Sequence, residues 1–315
     1  MSGRYVALSG GVGGAKLSLG LAHLLGDRLS VIVNTGDDFE HLGLRISPDI
    51  DTTLYTLADV VNTETGWGRR NETWTFMHAL ETLGGPQWFK LGDGDLAMHV
   101  ERTRRLRAGE TLTAITADAA VRLGIRARVL PAAEEPVSTI VETDEGALGF
   151  QDYFVRRQCQ PVVRGLRFEG AETARLTEQA RAALCDRDLA GIIICPSNPW
   201  LSIDPMLAIP GLRDALATAR APRIAVTPII AGKAVKGPTA KIMGELGLAI
   251  EAAAVAQHYE GLIDGFVLDR QDEGLAPRIG VAVETAQTLM RSLDDRVALA
   301  RVCVAFCQKL AARRA

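Results

Sequence analysis

The stretch Ser9-Gly10-Gly11-Val12-Gly13-Gly14-Ala15-Lys16 decides the fold of this chain. It follows a short apolar run, Arg4–Ser9, and precedes leucines at helical spacing that end near Gly26. A second apolar run, Leu29–Val33, comes directly afterwards. The order strand, glycine turn, helix, strand is typical of the opening of a doubly wound parallel sheet.

The same alternation continues along most of the chain, with a helix predicted over Ala171–Leu184 and a buried parallel strand at Gly191–Cys195. We therefore predict an α/β fold, a three-layer doubly wound and mostly parallel sheet of the Rossmann-like kind. The alternation is interrupted where Ser138–Glu142 and Ala147–Phe154 flank a turn and indicate a β-hairpin. We predict one domain over residues 1–315, with a small inserted α/β-hairpin subdomain near residues 135–170.

The composition is that of a globular protein that binds neither nucleic acid nor membrane. The 315 residues are 47% hydrophobic and 23% charged, and the net charge of −3 offers no basic excess for a nucleic-acid surface. The chain has no run of about 20 apolar residues, and Met1–Gly14 lacks the apolar segment of a signal peptide. We predict a cytoplasmic location.

Two further groups of residues are assigned ordinary structural roles. The basic run Arg102–Arg107 has no interleaved aromatic residue, so we interpret it as a solvated helix face, with an anion-binding patch as the alternative. The five cysteines are odd in number and scattered, which argues against a disulfide framework and favours core packing.

The glycine stretch is the strongest chemical signal. Missing side chains let backbone N–H groups approach a phosphate, and the N-terminus of the following helix adds positive potential. The spacing matches neither the dinucleotide-binding fingerprint nor the P-loop, and a tight strand-to-helix turn is the alternative explanation. We predict that the phosphate-binding residues are Gly10, Gly11, Gly13, Gly14 and Lys16.

Acidic residues follow the second strand and precede a predicted helix. Asp37 and Asp38 end a Gly turn, where they could hold a ribose hydroxyl, a metal or a polyhydroxylated substrate, or cap the turn. Asp51 lies in Ser47-Pro48-Asp49-Ile50-Asp51-Thr52, before a helix predicted to begin at Leu54. Asp51 could accept a proton from an attacking hydroxyl or bind Mg²⁺, and helix capping is the alternative.

Two later loops add polar groups. Lys90-Leu91-Gly92-Asp93-Gly94-Asp95 places two carboxylates two residues apart, a spacing that suits Mg²⁺ and equally suits a turn with helix caps. His99, which follows, is interpreted as a structural histidine. Ser197 and Asn198 come directly after the buried strand, where open α/β sheets bind ligands.

Taken in order, these motifs resemble those of the 2-phospho-L-lactate transferase family of coenzyme F-420 biosynthesis. The resemblance covers nearly the whole chain. Each motif alone is weak, and their common order is specific. The matching motifs are Ser9–Lys16, Asn34–Asp38, Ile46–Thr52, Lys90–Asp93, Pro136–Thr139, Phe150–Tyr153, Pro196–Pro199 and Pro228–Ile230.

The resemblance implies a phosphodiester-forming transferase. A guanosine-diphospho-activated acid (2-phospholactate, phosphoenolpyruvate or 3-phosphoglycerate) would meet the deazaflavin alcohol Fo, giving F-420-0 or its dehydro form and GMP, with Mg²⁺ assisting. It places Fo contacts at Asp51 and Lys90, and it implies a homodimer. On this reading the glycine loop and Lys16 hold the donor phosphates, while Ser197 and Asn198 line the nucleotide pocket. Asp37, Asp38 and Asp93 are the metal candidates, and Asp51 is the catalytic candidate.

Two other functions compete with this one. The first is a nucleotide-sugar-binding regulatory protein of the related gluconeogenesis-factor family, which titration with Fo and a UDP-sugar would distinguish. The second is an NAD-dependent oxidoreductase, suggested by the glycine turn and Asp37. The spacing of that turn is wrong for the fingerprint, and the sequence offers no convincing constellation for hydride transfer.

Overall fold

The predicted opening of the fold is present in the computed structural model, which describes residues 3–314. Strand β1 (Arg4–Ser9) runs into helix α1 (Gly11–Leu25), and β2 (Leu29–Val33) follows and pairs with β1 in parallel. Gly26 ends α1 with a φ of 57°, a left-handed conformation that costs glycine little.

The remaining strands form part of the same sheet or of three smaller sheets. In chain order they are β3 (Phe39–His41), β4 (Leu44–Ile46), β5 (Arg128–Pro131), β6 (Ser138–Thr143), β7 (Gly146–Gly149), β8 (Val163–Glu169), β9 (Leu189–Ile194), β10 (Arg223–Val226), β11 (Ile229–Ile230), β12 (Lys233–Ala234), β13 (Gly265–Asp269) and β14 (Ala282–Ala286).

The other helices surround these sheets, together with short 3₁₀ and π-helical turns. They are α2 (Pro48–Leu57), α3 (Thr75–Thr82), α4 (Asp93–Arg107), α5 (Leu112–Arg122), α6 (Glu178–Leu184), α7 (Asp204–Leu207), α8 (Leu212–Thr218), α9 (Thr239–Glu245), α10 (Ala252–His258) and α11 (Leu293–Ala312). Among the described residues, no helix combines the length and apolar character needed to cross a membrane.

The central sheet confirms the predicted α/β class. Its seven strands have the order β14-β13-β10-β9-β1-β2-β5, and every pairing between neighbours is parallel. The chain builds outward from β1 in one direction through β2 and β5, and in the other through β9, β10, β13 and β14. The order therefore reverses between β1 and β9, and such a switch point is where open α/β sheets form a ligand-binding crevice.

Both faces of this sheet are covered by helices, which makes the fold three-layered. Alternate residues of β1 pack into different cores: Tyr5 and Ala7 pack with α1 and α11, whereas Val6 and Leu8 pack on the side of α6, α8 and α10. Cys303 and Cys307 lie buried in the core beside α1, in agreement with a packing role, whereas Cys185 is exposed; all five cysteines are free thiols.

The break in alternation corresponds to a three-stranded antiparallel sheet with order β7-β6-β8. The predicted hairpin is present, but its second strand ends at Gly149 and a π-helical turn over Asp152–Arg156 replaces its predicted end. Gln151, just before this turn, donates from Nε2 to the backbone oxygen of Asp37 at 3.4 Å. This contact brings the small sheet to the edge of the large one. The division into one domain with an inserted subdomain stays a prediction.

Three local predictions are wrong. The helix expected to begin at Leu54 begins at Pro48, because proline is well suited to the first helical position, where no N–H bond is needed. The helix predicted over Ala171–Leu184 covers only Glu178–Leu184, where Thr177 caps its N-terminus. Arg102 is almost fully buried, so this end of the basic run is not a solvated face.

Candidate active site

The predicted site residues converge on one cavity of about 550 Å³. It opens at the carboxyl ends of β1, β2, β9 and β10, around the switch point of the sheet. The predicted residues that line it are Gly10, Gly11, Gly13, Lys16, Asp37, Asp51, Lys90, Ser197 and Asn198. Three predicted site residues are not among the described residues that line the cavity: Gly14, Asp38 and Asp93.

The glycine loop is hydrogen-bonded to the loop that follows β9. The N–H of Gly10 donates to Oγ of Ser197 at 3.0 Å, and that hydroxyl donates back to the Gly10 oxygen at 2.8 Å. The need for glycine is direct at two positions. A Cβ on Gly13 would lie 2.3 Å from the Pro196 oxygen, and one on Gly14 would lie 2.6 Å from the Ser197 hydroxyl. Gly14 thus allows the glycine loop to pack closely against Ser197, although Gly14 does not itself line the cavity.

The N-terminus of α1 lines this cavity, and Lys16, in the second turn of that helix, has two further cations near it. The first N–H groups of a helix have no acceptor within it and favour anions. Burial lowers the pKa of Lys16, and the neighbouring positive charges of Arg296 and Lys236 lower it further. Lys16 itself donates only to the Met290 oxygen, at 3.4 Å, among the contacts of the described chain. A cluster of cations beside a helix N-terminus has the chemistry of a phosphate site.

Asn198 has one structural and one free polar group. Its Oδ1 accepts from the N–H groups of Trp200 and Leu201, at 3.0 and 3.1 Å, and so caps the π-helical turn over Pro199–Ile203. Its Nδ2 is buried and has no hydrogen-bond partner within residues 3–314. The amide is therefore fixed in place with a donor available to a ligand.

Asp37 and Asp49 form a pair of buried carboxylates beside the glycine loop, and both line the cavity. Burial and the negative charge of Asp49 raise the pKa of Asp37 well above its ordinary value. Burial also raises the pKa of Asp49, to about 6, against the lowering effect of bonds from Asn34 and Gly11. Oδ1 of Asp37 has no hydrogen-bond partner in the part of the chain that the structure describes.

Asp51 lies in the same helical turn as Asp49 but faces a different environment. Both of its oxygens accept hydrogen bonds from the guanidinium of Arg102, with Nη1 at 3.1 Å from Oδ2. Its Oδ2 also lies 3.6 Å from Nδ1 of His99. Asp51 is thus a cavity-lining carboxylate with a buried cation as its permanent partner.

Asp95 completes this second group. Tyr55 donates its hydroxyl to Oδ1 of Asp95 at 2.7 Å, and Nε2 of His99 lies 3.3 Å from Oδ2. Burial would raise the pKa of Asp95, but His99 and Tyr55 together hold it below its ordinary value. One ligand atom from each of Asp51, Asp95 and His99 lies within 4.8 Å of the others, so these three side chains could share a metal ion.

The two remaining metal candidates lie elsewhere. Asp38 is buried beneath the cavity, where its Oδ2 accepts the hydroxyl of Ser47 at 2.6 Å and lies 3.6 Å from Arg45. Asp93 caps helix α3 by accepting from Thr75 N, at 3.1 Å, and Phe76 N, at 3.0 Å. A hydroxyl bond from Thr73, with these backbone bonds, lowers the pKa of Asp93 to about 2. The structure does not bring either carboxylate into the cavity.

Lys90 is exposed and lines the cavity. It follows Phe89, whose ring packs edge-on against Phe39 with centroids 4.9 Å apart. Further aromatic rings stand at the mouth of the cavity: Phe150 and Phe154 stack at 5.3 Å, and Trp67 is 52% exposed. The cavity thus combines charged groups at its base with flat apolar surfaces near its mouth.

The sequence analysis considered Asp95, His99 and Arg102 separately and did not group them with Asp51. Asp95, His99 and Arg102 are spaced i, i+4 and i+7, which places them on one face of α4. That spacing was readable from the sequence, as a face carrying a carboxylate, an imidazole and a guanidinium. Asp49 had no such signal, because its partners lie 15 and 38 residues away in the chain.

Comparison with known proteins identifies the family of the chain. The family model described as "2-phospho-L-lactate transferase CofD" matches residues 5–291. A phosphoenolpyruvate transferase of Kitasatospora aureofaciens is 38% identical over 318 residues, which cover 98% of each chain. A 2-phospho-L-lactate transferase of Methanosarcina mazei is 37% identical over 303 residues, covering 95% of this chain and 99% of the relative.

Solved structures agree on the fold alone. A crystal structure of a member of the upf0052 family from Bacillus halodurans superposes with a TM-score of 0.63 at 14% sequence identity. The match covers 96% of this chain and 99% of that one. At that level of identity the likeness concerns the doubly wound architecture and carries no statement about activity.

Proposed function

The chain belongs to the 2-phospho-L-lactate transferase family, and from this premise we propose that it forms the phosphodiester of coenzyme F-420 biosynthesis. The acceptor is Fo, 7,8-didemethyl-8-hydroxy-5-deazariboflavin. The donor is a three-carbon phospho-acid activated as a guanosine diphosphate derivative. The products are F-420-0, or its dehydro form, and GMP.

One observation carries this proposal. The glycine loop, Asp51 and Lys90 come from separate parts of the chain, and all three line one cavity. They combine an anion-binding helix terminus with a carboxylate and a lysine that face the same space. A transferase that joins an anionic donor to a hydroxyl acceptor needs this combination, because phosphoryl-type transfer depends mainly on positioning and charge neutralisation.

The donor is proposed to lie along the base of the cavity. Its diphosphate would accept hydrogen bonds from the N-terminus of α1, and Lys16 would supply a positive charge. Ser197 and Asn198 would line the guanosine side, where the unpartnered Nδ2 of Asn198 offers a donor. The cations that repel one another around Lys16 would gain a common anionic partner.

The acceptor is proposed to lie against Asp51 and Lys90. The terminal ribityl hydroxyl donates a hydrogen bond to Asp51 and attacks the phosphorus attached to the acid. A new O–P bond forms, the P–O bond to GMP breaks, and GMP leaves with the electron pair. Because such transition states are loose, the hydroxyl proton is lost late, and the Asp51 carboxylate, oriented by Arg102, accepts it.

Mg²⁺ is proposed as the cofactor, held by Asp37 with Asp49. Carboxylate oxygens are its preferred protein ligands, and Oδ1 of Asp37 is buried without a hydrogen-bond partner among the described residues. Arg102 already compensates the charge of Asp51, and Asp95 accepts the hydroxyl of Tyr55, so that group fits a further cation less well. When bound, Mg²⁺ would neutralise negative charge on the donor diphosphate.

The identity of the acid is left to experiment. Relatives named for phosphoenolpyruvate and for 2-phospho-L-lactate stand at 38% and 37% identity, so their names do not discriminate. Donors that differ by one methyl, methylene or hydroxyl change pocket contacts by only about 1–3 kcal/mol. The family resemblance also supports a cytoplasmic homodimer. Light scattering of the purified protein tests the oligomeric state.

The proposed activity is tested with purified protein, Fo, Mg²⁺ and each of the three candidate donors, with products resolved by mass. We expect F-420-0 or its dehydro form, together with GMP, from at least one donor. An Asp51→Asn enzyme should lose turnover, because it keeps the shape but not the charge of the carboxylate. Failure to form a phosphodiester of Fo with every donor, by a folded protein that binds Fo, would refute the proposal.

A further inference from the structure

We propose that Arg102 is a positioning residue of this site, which acts by fixing both the Asp51 carboxylate and the ring of His99. The kinetic part of this inference rests on the proposed function, whereas the hydrogen-bond pattern itself does not. Arg102 lies in the third turn of α4, and its side chain is 2% exposed. It is not among the described residues that line the cavity, so it acts through others.

The guanidinium of Arg102 faces three acceptors at once. Its Nη1 and Nη2 atoms contact the two oxygens of Asp51, and Nη1 also lies 3.4 Å from the backbone oxygen of Arg45. A planar fork of this kind orients a carboxylate in a way that a single ammonium group does not. The orientation of Asp51 in the cavity is therefore set from α4, 51 residues away in the chain.

The same guanidinium determines how His99 takes part. Nη1 of Arg102 lies 3.3 Å from Nδ1 of His99. A guanidinium can only donate, so Nδ1 must be the acceptor in this contact, and the proton of the neutral ring is placed on Nε2. Nε2 is buried 3.3 Å from Oδ2 of Asp95 and makes no hydrogen bond within the described residues.

Arg102 therefore holds two groups of the cavity lining directly. It donates to both oxygens of Asp51 and to Nδ1 of His99. Asp51 and His99 both line the cavity, as do Asp95 and Tyr55, which are joined to each other by the Tyr55 hydroxyl. One buried residue thus sets how the Asp51 carboxylate and the His99 ring are presented to the substrate.

This inference assigns His99 a role different from that of a proton acceptor or metal ligand. A ring whose Nδ1 is occupied by Arg102 and whose Nε2 carries a proton has no lone pair left for a hydroxyl proton or a cation. The geometry therefore leaves His99 with one donor, the N–H at Nε2, beside Asp95. The attacking hydroxyl finds its acceptor in Asp51.

The first test is spectroscopic and independent of activity. Nitrogen NMR of the wild-type protein, with the His99 signal identified by its loss in His99→Gln, should show Nε2 protonated and Nδ1 unprotonated. In Arg102→Lys the pattern should change, because a single ammonium group cannot hold both Asp51 and Nδ1. A wild-type ring protonated at Nδ1, or a pattern unchanged in Arg102→Lys, would overturn the inference.

The second test is kinetic. Arg102→Lys keeps the positive charge but loses the fork, so kcat should fall about 10- to 100-fold while KM for the donor stays the same. Arg104→Lys is the matched control. Arg104 lies on the same helix, its side chain is 63% exposed, and it forms an ion pair with Glu101 at the surface. A folded Arg102→Lys enzyme with wild-type kcat would contradict the positioning role.

Failure of this inference and failure of the proposed function give different results. If no donor is turned over, the proposed activity fails while the ring protonation still tests the network. If Arg102→Lys does not fold, the wild-type ring alone decides, since Nδ1 protonation is incompatible with an Arg102 donor. If turnover is present and both Arg102 tests are negative, the transferase proposal stands without this network.

Discussion

The backbone N–H of Gly11 donates a 2.7 Å hydrogen bond to Oδ1 of Asp49. Oδ2 of the same carboxylate accepts from Nδ2 of Asn34 at 3.0 Å. One side chain from the first turn of α2 therefore joins the loops that follow β1 and β2. It also takes up the N–H of Gly11, and Ser197 takes up that of Gly10, so two of the first four N–H groups of α1 are left for a ligand.

The close contact between two loops predicts the effect of one methyl group. A Cβ on Gly13 would meet the Pro196 oxygen at 2.3 Å, so Gly13→Ala must push the glycine loop away from the loop after β9. We expect transfer activity to fall by about 10²-fold or more, with a lower Tm. Steady-state assays and thermal unfolding measure the two effects.

Gly244→Ala is the control for this prediction. Gly244 lies in α9, has no positive φ, and its Cβ would meet nothing closer than 3.6 Å. We expect that variant to keep wild-type activity. Wild-type activity in Gly13→Ala would show that the close approach of the two loops is not needed for transfer.

The main features of the fold were predictable because they depend on local sequence patterns. Strand, glycine turn and helix follow one another within the first 25 residues, and a parallel sheet brings the carboxyl ends of its strands to one edge. It was therefore foreseeable that the glycine loop, Asp37 and Ser197 would meet. The convergence of these loops is the part of the site that sequence reasoning predicted best.

Long-range pairing of charges was not predictable in the same way. Arg102 stands in a run of basic residues that by composition indicates a solvated face, and only its distant partner Asp51 explains its burial. Asp93 and Asp95 are two residues apart, yet one caps α3 and the other lines the cavity. A helix turns about 100° per residue, so a shift of two positions decides which face a carboxylate takes.

The proposed magnesium site predicts a selective change in metal requirement. Asp37→Asn removes the charge of one proposed ligand, so the Mg²⁺ concentration for half-maximal rate should rise by at least about tenfold. Fo affinity should change little, because the proposed Fo contacts are Asp51 and Lys90. Rates measured over a range of Mg²⁺ concentrations, with Fo binding measured separately, check both statements.

Two further variants serve as controls for the Asp37→Asn prediction. Asp93→Asn is expected to leave the Mg²⁺ dependence unchanged, since Asp93 caps α3 outside the described cavity lining. Asp95→Asn tests the other group of potential ligands. A raised Mg²⁺ requirement in Asp95→Asn, with none in Asp37→Asn, would place the ion with Asp51, Asp95 and His99 instead.

The cap on α3 predicts how stability depends on pH. Hydrogen bonds from Thr73 and the helix N-terminus lower the pKa of Asp93 to about 2, below the value of about 3.9 expected in the unfolded chain. A depressed pKa contributes stability above pH of about 4, and this contribution is lost as pH falls toward 2. Asp93→Ala should therefore lower Tm by a similar amount from pH 8 to 5.

Thermal unfolding of both proteins across this pH range measures the effect. Below pH of about 4 the two Tm values should approach each other, because the wild-type carboxyl becomes protonated. Since the bonds from Thr73 and Thr75 to Asp93 are exposed to solvent, the difference between the two Tm values at neutral pH should be small, a few degrees at most. A difference in Tm that widens on acidification would contradict the capping role.

The central claim is that donor and acceptor occupy neighbouring parts of one cavity at the same time. The fluorescence of the deazaflavin ring allows Fo binding to be titrated with and without saturating GMP. We predict that the Fo Kd changes by no more than about threefold, that Lys16→Ala weakens only GMP, and that Lys90→Ala weakens only Fo. Displacement of Fo by GMP, or one variant weakening both ligands equally, would contradict the claim.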